Sequence, residues 1–193
     1  MSEFERINRL PTYVFQEVND LKAKLRHKGK DIIDFGMGNP DMPTPNHIRE
    51  KLKETVNKPG TGRYSTSRGI PGLRKAQVSY YERRFGVKLD PDKEVVVTLG
   101  SKEGLANLAQ AITSPGDIIL SPNPSYPIHP YGFIIAGASL RHLQAMEDGQ
   151  FNQELFLEKL DRAIRHSIPS PKAMIVSYPS NPTAQIVDLS FYK

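Results

Sequence analysis

Three short stretches place polar and aromatic side chains directly after apolar runs: "TLGSKEG" around Ser101 and Lys102, "NPSYP" around Tyr126, and "YPSNPT" around Asn181. Gly100 and Ser101 stand at the start of a helical pattern, where free backbone amides and the helix dipole favour an anion, and Lys102 adds positive charge. A plain N-cap is the other reading of that stretch. Tyr126 lies between two prolines, in a stiff loop able to present an aromatic face to a flat ligand, although a buried core tyrosine fits the same residues. Asn181 can both donate and accept from one loop position, which suits a ring oxygen or hydroxyl. An Asn-Pro turn without a ligand is the alternative. Taken together, the three stretches describe a pocket for a flat, anionic molecule.

Each stretch ends a predicted strand. "EVVVTL" runs into "GSKEG", "DIILS" into "PNPSYP" and "AMIVSY" into "PSNPT", with helices predicted at "SKEGLANLAQAI", "IHPYGFIIAGA" and "NQELFLEKLDRAIR" and a short strand at "SLRHL". Alternation of this kind specifies an α/β fold with a mainly parallel sheet covered by helices. Ligands in such sheets bind outside the carboxyl ends of the strands, where these loops fall. Upstream, Val14, Val18, Leu21 and Leu25 have helical spacing. "DIIDFGMGNPDMPTP" is a glycine- and proline-broken loop that includes Gly38. Thr44 and Pro45 read as N-cap and first position of a helix with Ile48, Leu52 and Val56 inward. "GRYSTSRGIP" is a polar loop before a helix from about Leu73. The last residues, "DLSFYK", read as one helical turn capped by Asp188 or Ser190, so that the chain is expected to be cut in mid-element.

Length allows one domain, or one domain and part of another: the chain has 193 residues, 38% hydrophobic and 24% charged. No apolar run approaches the roughly 20 residues that span a bilayer, and the charged N-terminus lacks the apolar core of a secretory signal. A cytoplasmic location with no membrane partner is therefore expected. The chain has no cysteine, which excludes disulfides and thiolate metal sites, and no metal site is expected. A net charge of +5 is spread along the chain; its densest cluster, "KAKLRHKGK", fits the solvated face of the first helix. Nucleic acid is not an expected partner, whereas small anionic substrates suit the charge.

"DFGMGNPD", "YSTSRGIPGLR", "TLGSKEGLANL", "NPSYPIHPYG" and "YPSNPTAQ", in this order and spacing, resemble the N-terminal half of a fold-type I, class I/II aminotransferase dependent on pyridoxal 5′-phosphate. The resemblance runs from about Arg6 to Lys193 and is nearest to the alanine (glutamate–pyruvate) aminotransferase subgroup, with LL-diaminopimelate aminotransferase as near kin. It implies a three-layer α/β/α large domain. Residues 1–44 would form an N-terminal arm and part of a small domain, and 45–193 the first part of the cofactor-binding large domain. The resemblance further implies that Ser101 and Lys102 hold the cofactor phosphate, Tyr126 stacks on the pyridine ring and Asn181 bonds its 3′-oxygen. Tyr64 would reach the phosphate of the neighbouring subunit of a homodimer, while Gly38 and the arm around Tyr13 would line the substrate side. Ala184 stands where the wider family usually has glycine, a mark of the subgroup that requires a negative φ there.

In that family the Schiff-base lysine, the aspartate on the pyridinium nitrogen and a carboxylate-clamping arginine all follow the NPT motif. None of them can be placed here, so the chain contains no expected catalytic residue. The parent is expected to exchange an amino group between a small amino acid, alanine first, and a 2-oxo acid, with this chain alone inactive. A lyase or synthase reaction of the same cofactor, or a non-catalytic truncated remnant, are the competing readings.

Overall fold

Ile118–Asn123 alternates its side chains between two apolar surroundings, which only a strand buried on both faces can do. The computed structural model describes residues 4–36, 38 and 40–193. Its elements are α1 (Glu5–Asn8), α2 (Val14–His27), α3 (Asn46–Val56), α4 (Pro71–Phe85), α5 (Ser101–Ile112), β1 (Ile118–Asn123) and α6 (Ile128–Ala136), then β2 (Ser139–Gln144), β3 (Met146–Glu147), β4 (Gln150–Phe151), α7 (Gln153–Arg165), β5 (Ala173–Met174) and a 3₁₀ turn (Leu189–Tyr192). Two compact units result, Met1–Pro11 with Thr98–Lys193, and Thr12–Val97. No helix among the described residues is long and apolar enough to cross a membrane.

In the first unit the sheet has the order β2-β1-β5, with both neighbours parallel to β1. Ile119 packs with Ala109 of α5 and with Phe133 and Ala136 of α6, while Leu120 packs on the opposite face with Leu143, Phe156 and Ala163 of β2 and α7. This is the expected α/β arrangement of helix, sheet and helix. Burying side chains such as Ile119, Leu120 and Phe156, all 2% exposed or less, stabilises the unit by about 1.5–3 kcal/mol each. Helix α7 starts where the Asn152 side chain accepts from the Leu155 amide at 2.9 Å, and α6 stops at Gly137, whose φ of 99° favours glycine.

Asp117 ties the amino ends of the three strands together. Its carboxylate accepts from Lys172 Nζ and from the Ser114 amide, each at 2.8 Å, while its carbonyl accepts from the Ser139 amide at 2.8 Å. The Lys172 amide in turn donates to the Ile118 carbonyl. The bond from Lys172, then that from Ser114, hold the Asp117 carboxyl below its ordinary value of 3.8.

Several sequence expectations change. Glu94–Leu99 forms no strand, because a strand needs a ladder and the Val97 amide's bond to the Arg68 carbonyl at 3.2 Å is not extended into one; Leu99 is 92% exposed. The strand expected over "AMIVSY" pairs only at Ala173 and Met174, although the Ile175 amide still donates to the Leu120 carbonyl. The β3–β4 hairpin was not anticipated, yet its Asp148-Gly149 turn, with φ of 48° and 77°, carries the Asp-Gly signal that favours such turns. Pro45 rather than Thr44 is the N-cap of α3, and α4 begins at Pro71. Phe191 of the terminal 3₁₀ turn packs among Phe151, Phe156 and Tyr178, so this single turn does bury part of an apolar face.

In the second unit Ile48, Leu52 and Val56 are not inward: all three are at least half exposed, and no apolar side chain among the described residues of 12–97 is buried. Among those described residues the buried side chain is that of Arg74, which donates to the carbonyls of Pro91 and Gly69 and to the Asp92 carboxylate. The guanidinium thus fastens the loop before α4 to the turn at 90–92. Lys22 of α2 pairs with Asp34 at 2.8 Å, and Asp34 also accepts from the Gly36 amide.

The turn at Ser180–Gln185 is closed by the Ala184 amide on the Ser180 carbonyl and the Ser180 amide on the Gln185 carbonyl. Ala184 has a φ of +56°, which overturns the expectation of a negative value. A Cβ is tolerated there at a steric cost of about 1–2 kcal/mol. Replacing Ala184 with Gly relieves that cost against a smaller loss of unfolded-state entropy, and should raise stability by about 0.5–1 kcal/mol in chemical denaturation; a lower midpoint would refute the strain. Asp117→Asn should lower stability near neutral pH. Because the native carboxyl titrates below its unfolded value, its contribution is present above about pH 4 and lost as pH falls through the folded value. The variant's acid-unfolding curve should therefore fall less steeply below about pH 4 than the wild type's.

Candidate active site

Helix α5 opens at Ser101 because Gly100 adopts a φ of 86° with nothing within 4 Å of where a Cβ would stand. Two side chains stiffen this entry: the Glu103 carboxylate accepts from the Leu99 amide, and Thr98 Oγ1 donates to the Gly100 carbonyl at 3.0 Å. The first amides of the helix have no intrahelical acceptor and face outward with the positive end of the dipole. Lys102 Nζ lies 5.2 Å from the centroid of the Tyr126 ring, a cation-π distance. A cation and open amides at the start of α5 thus meet an aromatic plate from the loop after β1, a donor set that fits a phosphate carried on a flat ring.

Tyr126 follows β1 in the loop that leads to α6, and meets the His129 ring edge-on at 5.9 Å and 85°. His129 lines a cleft with Ser125, Met146, Tyr178, Asn181 and Thr183. Asn181 arrives there because the chain beyond β5 leaves the sheet beside the carboxyl end of β1. Burial holds His129 below its ordinary value of 6.5, so the ring is neutral at physiological pH and has one donor and one acceptor to offer. Burial, and secondarily Tyr192, raise the Tyr178 phenol above 10.0, which keeps it a donor.

Ser101, Lys102, Tyr126 and Asn181 therefore fall in one unit, Ser101 and Lys102 at the opening of α5 and Tyr126 and Asn181 in the chain that follows β1 and β5. Tyr13, Gly38 and Tyr64 belong to the other unit. Tyr64 is fully exposed, Gly38 is exposed, and Tyr13 is 46% exposed and packs against Phe15 at 5.5 Å. Met37 and Asn39 of the "DFGMGNP" loop lie outside the described residues. Sequence reasoning missed His129 and Ser125. The signal was present: His129 lies three residues after Tyr126, one helical turn away. Lys172 sits at the amino ends of the strands with Asp117, the end opposite the cleft.

Residues 30–193 match the sequence profile of the family described as aminotransferase class I and II. The chain is 60% identical over its whole length to a Rhizobium meliloti protein named AatC, of which it covers 46%. It is 54% identical over 98% of its length to the glutamate-pyruvate aminotransferase AlaC of Escherichia coli, covering 45% of that protein. Among solved structures, 99% of the chain superposes on 48% of an aspartate aminotransferase from Thermus thermophilus, with a TM-score of 0.86 and 28% identity. The chain spans about half the length of the curated relatives it matches. By profile and by sequence identity, it belongs to the class I and II aminotransferases.

Proposed function

We propose that the whole protein carries out amino transfer between alanine and a 2-oxo acid such as 2-oxoglutarate, and that this chain supplies much of the pyridoxal 5′-phosphate site. The observation that carries this reading is the Lys102–Tyr126 pairing at the mouth of α5, beside the Asn181 cleft. The similarity to AlaC points to alanine and 2-oxoglutarate as the first substrates to try.

In this reading the Ser101 hydroxyl, the Lys102 ammonium and the first amides of α5 hold the phosphate through charge-assisted hydrogen bonds. Tyr126 covers one ring face and fixes its plane, with His129 bracing the tyrosine edge. The Asn181 amide donates to the ring oxygen. Gly104 lets this wall close up: a Cβ there would stand 3.1 Å from Thr98 Oγ1. When bound, the cofactor supplies an electron sink and an amino-group carrier that no side chain can replace. Gly38 and Tyr13 are assigned to the substrate side and Tyr64 to the phosphate of a second subunit in a homodimer. Residues 1–44 serve as arm and small-domain segment, and 45–193 as the start of the large domain. The lysine that carries the cofactor covalently is assigned to the remainder of the protein, since Lys102 serves the phosphate and Lys172 is committed to Asp117.

Titration of the chain with pyridoxal 5′-phosphate, followed by absorbance and tyrosine fluorescence, tests the site. Lys102→Ala and Tyr126→Ala should each weaken binding about tenfold, as expected for one charge-assisted bond or one stacking contact. Unchanged affinity in both variants would refute the assignment. Activity is a separate test: the whole protein given alanine and 2-oxoglutarate should form pyruvate and glutamate, while the 193-residue chain alone should not. Turnover of LL-diaminopimelate but not alanine would favour the second substrate reading, and release of free ammonia a lyase.

A further inference from the structure

A second cleft, of about 620 Å³, lies between the outer side of β2 and the last turns of α7. Arg141 and His142 line it from the strand, and Lys159, Arg162 and His166 from the helix and its C-cap; none of its lining residues is acidic. Lys159, Arg162 and His166 recur at helical spacing, so they form one stripe of α7 facing the strand. Arg141 is held in place, since it donates to Ser167 Oγ, and the buried Ser167 donates onward to the Ala163 carbonyl.

A basic last turn complements the helix dipole by itself. That account covers Arg165, which points elsewhere and pairs with Asp161 at 2.9 Å. It does not cover cations brought from a separate strand to face those of the helix. Among the described residues neither Arg141 nor Arg162 has a carboxylate partner, and Lys159 has only its exposed neighbour Glu158 at 3.1 Å. Like charges converging in this way are destabilising unless a counter-anion neutralises them. β2 is also the edge of its sheet, so its outer amides are further donors toward the same opening.

We infer that this cleft binds a small, multiply charged phosphate compound, a diphosphate or phosphate ester, at a site separate from the α5 mouth. Guanidinium groups from two elements match phosphate oxygens in charge and in donor geometry. The probe is inorganic pyrophosphate, titrated by calorimetry into the chain at low ionic strength. Lys102→Ala serves as background throughout, so that any contribution of the α5 mouth is weakened and is common to all the variants compared. Saturable one-to-one binding is expected, together with movement of the His142 and His166 side-chain resonances. Adding Arg162→Gln and Lys159→Gln, both away from the buried Ser167 contact, should weaken binding about tenfold or more. The inference is overturned by absent binding, by binding that this pair of substitutions leaves unchanged, or by histidine resonances that do not move. Tight binding of a single-stranded oligonucleotide with none of pyrophosphate would equally overturn it, in favour of a nucleic-acid surface.

Discussion

β1 exchanges backbone hydrogen bonds with β2 on one side and β5 on the other, and both of its faces are covered by helices. A parallel strand of this kind lets all its side chains be apolar or small, and Ile119, Leu120 and Ser121 are indeed almost fully buried. The parallel ladder also fixes direction. With β1, β2 and β5 running the same way, the loops that carry Tyr126 and Asn181 leave from the same end of the sheet, while the Asp117–Lys172 pair closes the other end. Polar groups for a ligand and polar groups for the framework are thereby kept apart.

At the ligand end the same few residues both shape the backbone and present charge. Gly100 makes the turn into α5, Thr98 and Glu103 hold it, and the turn leaves the Lys102 ammonium over the Tyr126 ring. A stiff donor set needs little reordering when an anion arrives, which favours affinity. The half-buried, neutral His129 behind Tyr126 extends this stiffness into the Asn181 cleft. The second basic cleft is built differently, from an edge strand and the end of a helix, with the Arg141 guanidinium anchored by a buried serine and that of Arg162 exposed.

Residues 12–97 show the reverse balance. Their helices form as their periodicity requires, yet the apolar faces of α2 and α3 remain largely exposed and the buried side chain is an arginine. Local hydrogen bonds and capping suffice to mark a helix, whereas burial requires a partner surface. The Arg74 and Lys22–Asp34 contacts then hold the loops of this unit by charge rather than by packing.

The sequence by itself determined the helices and the parallel α/β class, because apolar periodicity and glycine or proline breaks act over a few residues. The same locality made Lys102, Tyr126 and Asn181 legible as candidates, and five ordered motifs made the family recognisable. Tertiary structure decided what depends on residues distant in the chain. "EVVVTL" reads as a buried strand but gains no ladder, and Ile48, Leu52 and Val56 have inward spacing without an inward side. The +56° φ of Ala184 follows from closure of its own turn, which the residue type argues against. The gathering of Arg141 and His142 with Lys159, Arg162 and His166 was invisible in a chain whose charge reads as diffuse. Pairing and juxtaposition are properties of the fold, since they join segments that no window of sequence contains.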